Sequence, residues 1–86
     1  MEVIKVSGTS RTSAVAGAIA GIIRETKRAE VQAIGASAVN QAVKAITVAK
    51  GYLTRDSLEI TYTSEFVDVE IEDKVRTAIK FTITQV

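Results

Sequence analysis

The sequence predicts a two-layer α/β domain with the element order β-α-β-α-β-β, in which a four-stranded mixed sheet carries two helices on one face. Two stretches with helical spacing of apolar residues each follow a short apolar run that is typical of a strand. From Leu58 onward, apolar residues recur at every second position, which indicates half-buried strands. The chain has 86 residues, 47% of them hydrophobic, and no Cys. We therefore expect one domain over residues 1–86 with an ordinary apolar core and no disulfide framework.

The first strand is predicted at residues 2–6, where apolar and polar side chains alternate. Residues 7–13 (SGTSRTS) form a loop of small and hydroxyl side chains that ends in good helix N-caps. A helix follows over residues 13–27, with Gly17 and Gly21 on one face. These glycines either allow a partner to approach closely or are simply tolerated on an exposed face. The opposite, apolar face carries Val15, Ile19, Ile22 and Ile23.

The second strand is predicted at residues 31–34, after a polar connection at residues 26–30. Ser37 can cap the second helix by accepting a hydrogen bond from the N–H of Asn40, and Gly51 suits a left-handed C-terminal cap. The predicted core face of this helix carries Ala38, Ala42, Ala45, Ile46, Ala49 and Leu53. Because a helix connects the first two strands, we expect them to be parallel with a right-handed crossover.

The last part of the chain is predicted to be an antiparallel hairpin. A turn at residues 55–57 precedes the alternating pattern, which has a break near residues 64–65. The pattern favours a three-residue loop at residues 72–74 that pairs Ile71 with Val75. The sheet face without helices is then partly polar, with Lys5, Lys80, Thr82 and Thr84 among its residues.

The composition argues against catalysis. Without His or Cys the chain lacks the usual general base and the thiolate ligands, and its loops match neither the Walker nor the dinucleotide glycine spacing. We therefore expect no enzymatic activity, no catalytic residues, no metal site and no cofactor. The longest apolar run, residues 14–23, has about half the length of a membrane crossing. We expect no membrane insertion, and the lack of Cys is compatible with a reducing cytoplasm.

The charge is distributed unevenly along the chain. Residues 1–55 carry eight basic and three acidic side chains, whereas residues 56–86 carry three basic and seven acidic ones. A locally basic surface can meet phosphate groups although the net charge is only +1. Charges solvated on separate faces would give the same totals.

A candidate anion site lies where the two helices begin. Two parallel strands place both helix starts at the same sheet edge, where free N–H groups and the helix dipoles favour negative charge. The residues that could complete this site are Lys5, Ser7, Thr9, Ser10, Arg11, Ser37, Asn40 and Lys44. In the alternative interpretation, the hydroxyl groups serve only as caps and loop formers.

Four segments of the chain resemble the stage V sporulation protein S family. They are MEVIKVS, SAVAGAIAGIIRE, EVQAIGASAVNQAVKAITVAKGYL and RTAIKFTITQV, and together they cover essentially the whole chain. That family in turn is similar to Alba-type chromatin and RNA-binding domains, which are dimeric. The resemblance implies nucleic-acid contacts by residues 8–11, by residues 35–41 including Gln41, and by a hairpin around residues 72–76. Where Alba domains typically place basic residues, this chain has Ser, Thr, Gly and Gln.

The sequence thus leads to two hypotheses. The first is a small cytoplasmic, non-enzymatic homodimer that binds DNA or RNA and acts in bacterial sporulation. The second is a protein-interaction or assembly module with the same fold and no significant nucleic-acid affinity, which the acidic residues of the hairpin favour. For the dimer, Val48 and the small-residue face of the first helix are the surfaces expected to meet.

Overall fold

A computed structural model describes residues 2–86, and within them the order β-α-β-α-β-β is confirmed. The elements are β1 (Val3–Val6), α1 (Thr12–Thr26), β2 (Arg28–Ala33), α2 (Ala36–Thr54), β3 (Ile60–Ile71) and β4 (Lys74–Gln85). The strands form one mixed sheet in the order β1-β2-β4-β3. As predicted, β1 and β2 are parallel, while β4 is antiparallel to both β2 and β3.

Both helices cover the same face of the sheet and enclose an apolar core. The alanine-rich face predicted for α2 is fully buried, and α1 contributes Ile19 and Ile23 to the same core. Small alanine side chains allow the two helices to approach each other and the sheet closely. The sheet contributes Val6, Ala29, Val31, Ala33, Ile60, Phe81 and Ile83 to this core.

The opposite sheet face is partly polar, as predicted. Lys80 Nζ lies 3.3 Å from Glu65 Oε1 and 4.0 Å from Glu30 Oε2, and Arg28 Nη2 lies 3.1 Å from the same Glu30 oxygen. These ion pairs connect β2, β4 and β3 across the open face. Since these side chains are partly exposed, each pair contributes little to stability.

The second strand begins earlier than predicted, at Arg28. Lys27 adopts a left-handed conformation (φ 66°) and donates its N–H to the carbonyl of Ile23 at 2.9 Å, so that the chain leaves α1 and enters β2 within one residue. The prediction of a polar connection at residues 26–30 was wrong because Arg28 and Glu30 are strand residues on the polar face.

Both predicted caps of the second helix were also wrong. The residue before α2 is Gly35 (φ 90°), and Ser37, in the first turn, makes no capping hydrogen bond within the described chain. The helix continues through Gly51 to Thr54. A glycine inside a helix costs about 1 kcal/mol, whereas full burial of a leucine such as Leu53 contributes about 1.5–3 kcal/mol. Burial of Leu53 therefore outweighs the signal from Gly51.

The predicted hairpin register was wrong by one residue. β3 and β4 are joined by a two-residue turn, Glu72 (φ 50°) and Asp73 (φ 64°), which pairs Ile71 with Lys74. Two central residues with positive φ form the type of turn whose twist matches that of the flanking strands. β3 also runs without interruption through residues 64–65, where a break was predicted. The predicted turn at residues 55–57 is confirmed.

The hairpin extends well beyond the rest of the sheet. β4 pairs with β2 from Thr84 back to Ile79, so residues 67–78 form a two-stranded ribbon without a further strand beside it. This ribbon gives the chain its elongated shape of 43 × 22 × 17 Å. Because Ile79 pairs with Ala33, the last residue of β2, the ribbon projects from the edge at which β1 and β2 end.

Candidate functional site

Three segments meet at the edge from which the ribbon projects. β1 and β2 end together, with Val6 beside Ala33, and each is followed by a short loop and a helix. The loop at residues 7–11 and the start of α2 are therefore neighbours. The sequence predicted this arrangement of the two helix starts.

The loop at residues 7–11 is held by its own hydroxyl groups. The N–H of Ser7 donates to Ser10 Oγ at 2.9 Å, and the N–H of Ser10 donates to the carbonyl of Ser7 at 3.1 Å. The Ser7 hydroxyl also lies 3.1 Å from Thr9 Oγ1 and 3.2 Å from Ser10 Oγ. The hydroxyls of Ser7, Thr9 and Ser10 therefore hold the loop in its conformation.

This loop docks directly against the start of α2. Gly8 is so close to Ser37 that a Cβ at position 8 would lie 2.8 Å from Ser37 Cβ. Gln41 Nε2 donates to the carbonyl of Ser10 at 2.8 Å. The side chain of Gln41 thus ties the loop to α2, and its amide donor is directed at the protein rather than at a ligand. Sequence reasoning did not reveal this contact.

Both helices begin without a side-chain cap, as far as residues 2–86 show. Arg11 precedes α1, and its carbonyl accepts from Val15 at 3.1 Å; Gly35 precedes α2, and its carbonyl accepts from Val39 at 3.0 Å. Neither first turn contains an acidic residue. The positive ends of two helix dipoles therefore lie at one edge with no carboxylate of either first turn beside them.

The predicted polar and basic side chains are only partly brought together. Arg11 is exposed directly before α1. Lys44 is also exposed, but it lies about 12 Å along α2 from the first residue of that helix, Ala36, because a helix rises 1.5 Å per residue. Lys44 shares a flank of α2 with Ser37 and Gln41, since spacings of three and four residues fall on one side of a helix. Asn40 is exposed on the outer side of the same helix.

Lys5 lies on the sheet face opposite the helices, as the sequence predicted. It pairs with Gln32 in the sheet, and its neighbours Ile4 and Val6 pack towards the helices, so its side chain is on the open face. There Lys5 lines a cleft of about 340 Å³ together with residues 7–8 of the loop, Ile34 and residues 69–71 of the ribbon.

The ribbon carries two basic residues within the hairpin around residues 72–76 that the resemblance implies, although neither was named individually. Lys74 and Arg76 are exposed and share the open sheet face with Lys80 and Lys5, because alternate residues of a strand point to the same side. Because Lys74, Arg76 and Lys80 are separated by even numbers of residues, the sequence could have indicated that they share one sheet face. The ribbon region also carries five acidic side chains at Glu65, Asp68, Glu70, Glu72 and Asp73.

Residues 2–86 form neither a metal-binding cluster nor a membrane-spanning helix. Between residues 2 and 86, the acidic side chains do not gather into a group of three that could hold a metal ion. Neither α1 nor α2, the helices of this same region, is long and apolar enough to cross a membrane.

The two adjacent helix starts and the projecting ribbon, on a sheet of order β1-β2-β4-β3, define an Alba-like α+β fold. The solved structure titled Alba from Thermoplasma volcanium is similar to this chain with a TM-score of 0.64, at 15% sequence identity, over 96% of this chain and 99% of that one. The family model described as Stage V sporulation protein S (SpoVS) matches residues 2–86, and the chain belongs to this sporulation-related family. Both the family resemblance and the fold class predicted from the sequence are confirmed, and this family is of a non-enzymatic kind.

Proposed function

We propose that residues 1–86 act as a single-domain, non-enzymatic protein that binds DNA or RNA as a cytoplasmic homodimer and takes part in bacterial sporulation. The observation that carries this proposal is the pair of uncapped helix starts beside Arg11, at the edge from which the ribbon projects. Backbone N–H groups at a helix start bind phosphate oxygens well, because the helix dipole favours negative charge there. An exposed arginine beside them adds a charged donor suited to phosphate.

A dimer is proposed because one copy of the chain has few basic residues near this edge. Arg11 is exposed there and Lys44 is exposed about 12 Å further along α2, and a protein with few phosphate contacts binds weakly at physiological salt. A two-fold axis, the commonest symmetry of soluble oligomers, doubles the contacts with one self-complementary surface. Two linked sites then bind one nucleic acid more tightly than either site alone.

This proposal is tested by adding the protein to fluorescently labelled single- and double-stranded DNA and RNA. Binding is measured by fluorescence anisotropy at several salt concentrations from low to physiological. Arg11→Gln and Lys44→Gln are each expected to weaken binding and to reduce the slope of log K against log salt by about 0.9 for each duplex phosphate that the variant no longer neutralises. The matched control is Lys27→Gln, since Lys27 is exposed at the opposite end of α1. Equal slopes for the wild type and both site variants would contradict the proposed site.

The second candidate function is a protein-interaction or assembly module. The acidic ribbon favours it, because Asp68, Glu70, Glu72 and Asp73 repel phosphate groups that approach from that side. The same titration separates the two functions. If no labelled nucleic acid binds even at low salt, the module without nucleic-acid affinity is the better description.

A further inference from the structure

A cleft is present on the open sheet face, the side away from both helices. Its floor is the end of β2, where Gln32 and Ile34 follow Glu30 at every second position. One wall consists of residues 5–8, at the end of β1, and the other consists of residues 69–71 of the ribbon. The volume of this open-face cleft, about 340 Å³, lies within the range of ligand pockets in proteins, about 300–1,000 Å³.

The twist of the ribbon produces the open-face cleft. β1 and β3 form opposite edges of the sheet, yet Lys5 of β1 and Val69 of β3 line the same cleft. Two-stranded ribbons twist more strongly than wider sheets. Beyond Ala33, where β2 ends, the ribbon therefore turns across the open face towards β1.

The open-face cleft has a partly aliphatic lining. Ile34, Val69 and Ile71 line it, and none of the three packs against the core between the sheet and the helices. Ile34 and Val69 are half-buried, and Ile71 is 41% exposed. These side chains therefore offer apolar surface to a partner without being needed to close the core.

Basic side chains surround the open-face cleft. Lys5 lines it, while Arg76 and Lys74 are the pairing partners of Val69 and Ile71 and share their side of the ribbon. All three cations are exposed, and none of them forms an ion pair within residues 2–86. The cleft therefore combines an aliphatic lining with positive charges that have no carboxylate partner in the described chain.

The acidic side chains of the ribbon are mostly directed elsewhere. Asp68 and Glu70 alternate along β3 with the valines of the open face, so their side chains lie on the helix-facing side of the ribbon. Glu65 lies on the open face, but it is paired with Lys80 at 3.3 Å. Residues 72–73 form the turn at the tip. The ribbon therefore divides its charges, with unpaired cations on the open face and acids on the other.

We propose that the open-face cleft binds an extended peptide segment of a partner protein, in which an aliphatic side chain is flanked by aspartate or glutamate. The aliphatic side chain occupies the cleft against Ile34, Val69 and Ile71. The flanking carboxylates contact Lys5 and Arg76. Burial of the aliphatic side chain supplies affinity, and the two cations select acidic sequences, because complementary charge gives specificity. This site is separate from the helix starts of the proposed function.

The lining of the cleft favours a peptide over a nucleic acid. Proteins hold single-stranded nucleic acid largely by stacking its bases on aromatic side chains. The aromatic residues of this chain lie elsewhere, since Tyr52 belongs to α2 and the other three are on the helix-facing side of the sheet: Tyr62, Phe66 and Phe81. The cleft offers bases no aromatic surface, whereas its aliphatic lining suits the aliphatic side chain of a peptide.

The first test adds short synthetic peptides to the isotope-labelled full chain and follows its amide signals by NMR. Three acidic peptides carry Leu, Ile or Val between two Asp-Glu-Asp segments. The control peptides carry Ser in place of the aliphatic residue, or Lys-Arg-Lys segments in place of the acidic ones. The best acidic peptide is expected to bind about tenfold or more tightly than its controls, with the largest shifts at residues 5–8, 32–34 and 69–76. Acidic peptides that bind no better than their controls overturn the inference.

The second test exchanges the charges of the cleft. Lys5→Glu combined with Arg76→Glu is expected to weaken binding of the acidic peptides about tenfold or more and to favour the Lys-Arg-Lys peptide instead. Both side chains are exposed, so the circular dichroism spectrum is expected to stay that of the wild type. Lys27→Glu is the matched control, since Lys27 is exposed at the end of α1. A double variant that binds acidic peptides as tightly as this control overturns the cleft.

The same NMR experiment with oligo-dT and with a DNA duplex separates this inference from the proposed function. Nucleic acid is expected to shift residues 9–11 and the start of α2, and to leave the acidic peptide in the cleft. A nucleic acid that shifts residues 32–34 and 69–71 and displaces the peptide overturns the inference, because the cleft then belongs to the nucleic-acid site. If the peptide binds but no nucleic acid does, the cleft stands and the proposed function fails.

Discussion

Replacement of Gly51 by alanine is expected to stabilise the protein. Gly51 lies inside α2, its φ is not in the positive range, and an added Cβ would meet no heavy atom within 4 Å. In an exposed helix interior, alanine is more favourable than glycine by about 0.8–1.0 kcal/mol. At a left-handed cap the same substitution would be unfavourable, so the sign of the change reports the local conformation.

Gly35→Ala is the matched control with the opposite sign. Gly35 has φ 90° and ψ 158°, and an added Cβ would again meet nothing within 4 Å. The cost therefore comes from the backbone alone, because this conformation is essentially confined to glycine, and it amounts to about 1–3 kcal/mol.

Thermal and urea unfolding measure both variants. For a domain of this size, 1 kcal/mol corresponds to about 4–8 °C in Tm, so Gly51→Ala should raise Tm by roughly that amount, and Gly35→Ala should lower it by at least as much. A lower Tm for Gly51→Ala would mean that α2 ends at a left-handed Gly51 and does not reach Thr54.

Three further substitutions test the turn, the loop contact and the core. Replacing Glu72-Asp73 by Asn-Gly, which this turn type prefers, is expected to raise the free energy of unfolding in urea by about 1 kcal/mol; a decrease would argue against the two-residue turn. Gln41→Ala removes the hydrogen bond to the carbonyl of Ser10 and is expected to lower the free energy of unfolding by about 1 kcal/mol. Amide hydrogen exchange in the loop at residues 7–11 should become faster, and unchanged exchange would mean that this bond does not hold the loop. Ile83→Ala leaves a cavity in the core and is expected to cost about 2–5 kcal/mol by calorimetry; a decrease of less than about 1 kcal/mol would contradict full burial.

The sequence predicted the fold because burial repeats with the period of each element. All six residues assigned to the core face of α2 are buried, and Ile19 and Ile23 of α1 join them. Because the side chains that face a shared core are apolar, apolar residues recur in the sequence with the period of the helix or strand. Connectivity then determined the parallel pairing of β1 and β2.

The ends of the elements were harder to predict because local signals compete with tertiary contacts. Ser37 resembles an N-cap, but Gly35 takes that position and Ser37 packs against Gly8. Arg28 and Glu30 resemble a polar linker, but they lie in β2 on the polar sheet face. In each case the deciding partner lies outside the local sequence window.

The candidate site was predictable in its position and not in its contacts. The topology placed both helix starts at one edge, as expected. Lys5 lies on the sheet face without helices, as the sequence predicted, but sequence alone could not show that Gln41 is directed at the carbonyl of Ser10. Such partners depend on how the loop packs, which spacing along the chain does not encode.

The ribbon differs from the rest of the fold because no core constrains it. Its register is determined by the turn at Glu72 and Asp73, and a two-stranded hairpin alone is marginally stable in water. Phe66 and Val75 contribute little to the folding of one chain, since most of their surface stays exposed. Substitutions there should therefore leave the free energy of unfolding nearly unchanged. Core substitutions such as Ile83→Ala should lower the free energy of unfolding instead, because Ile83 is fully buried.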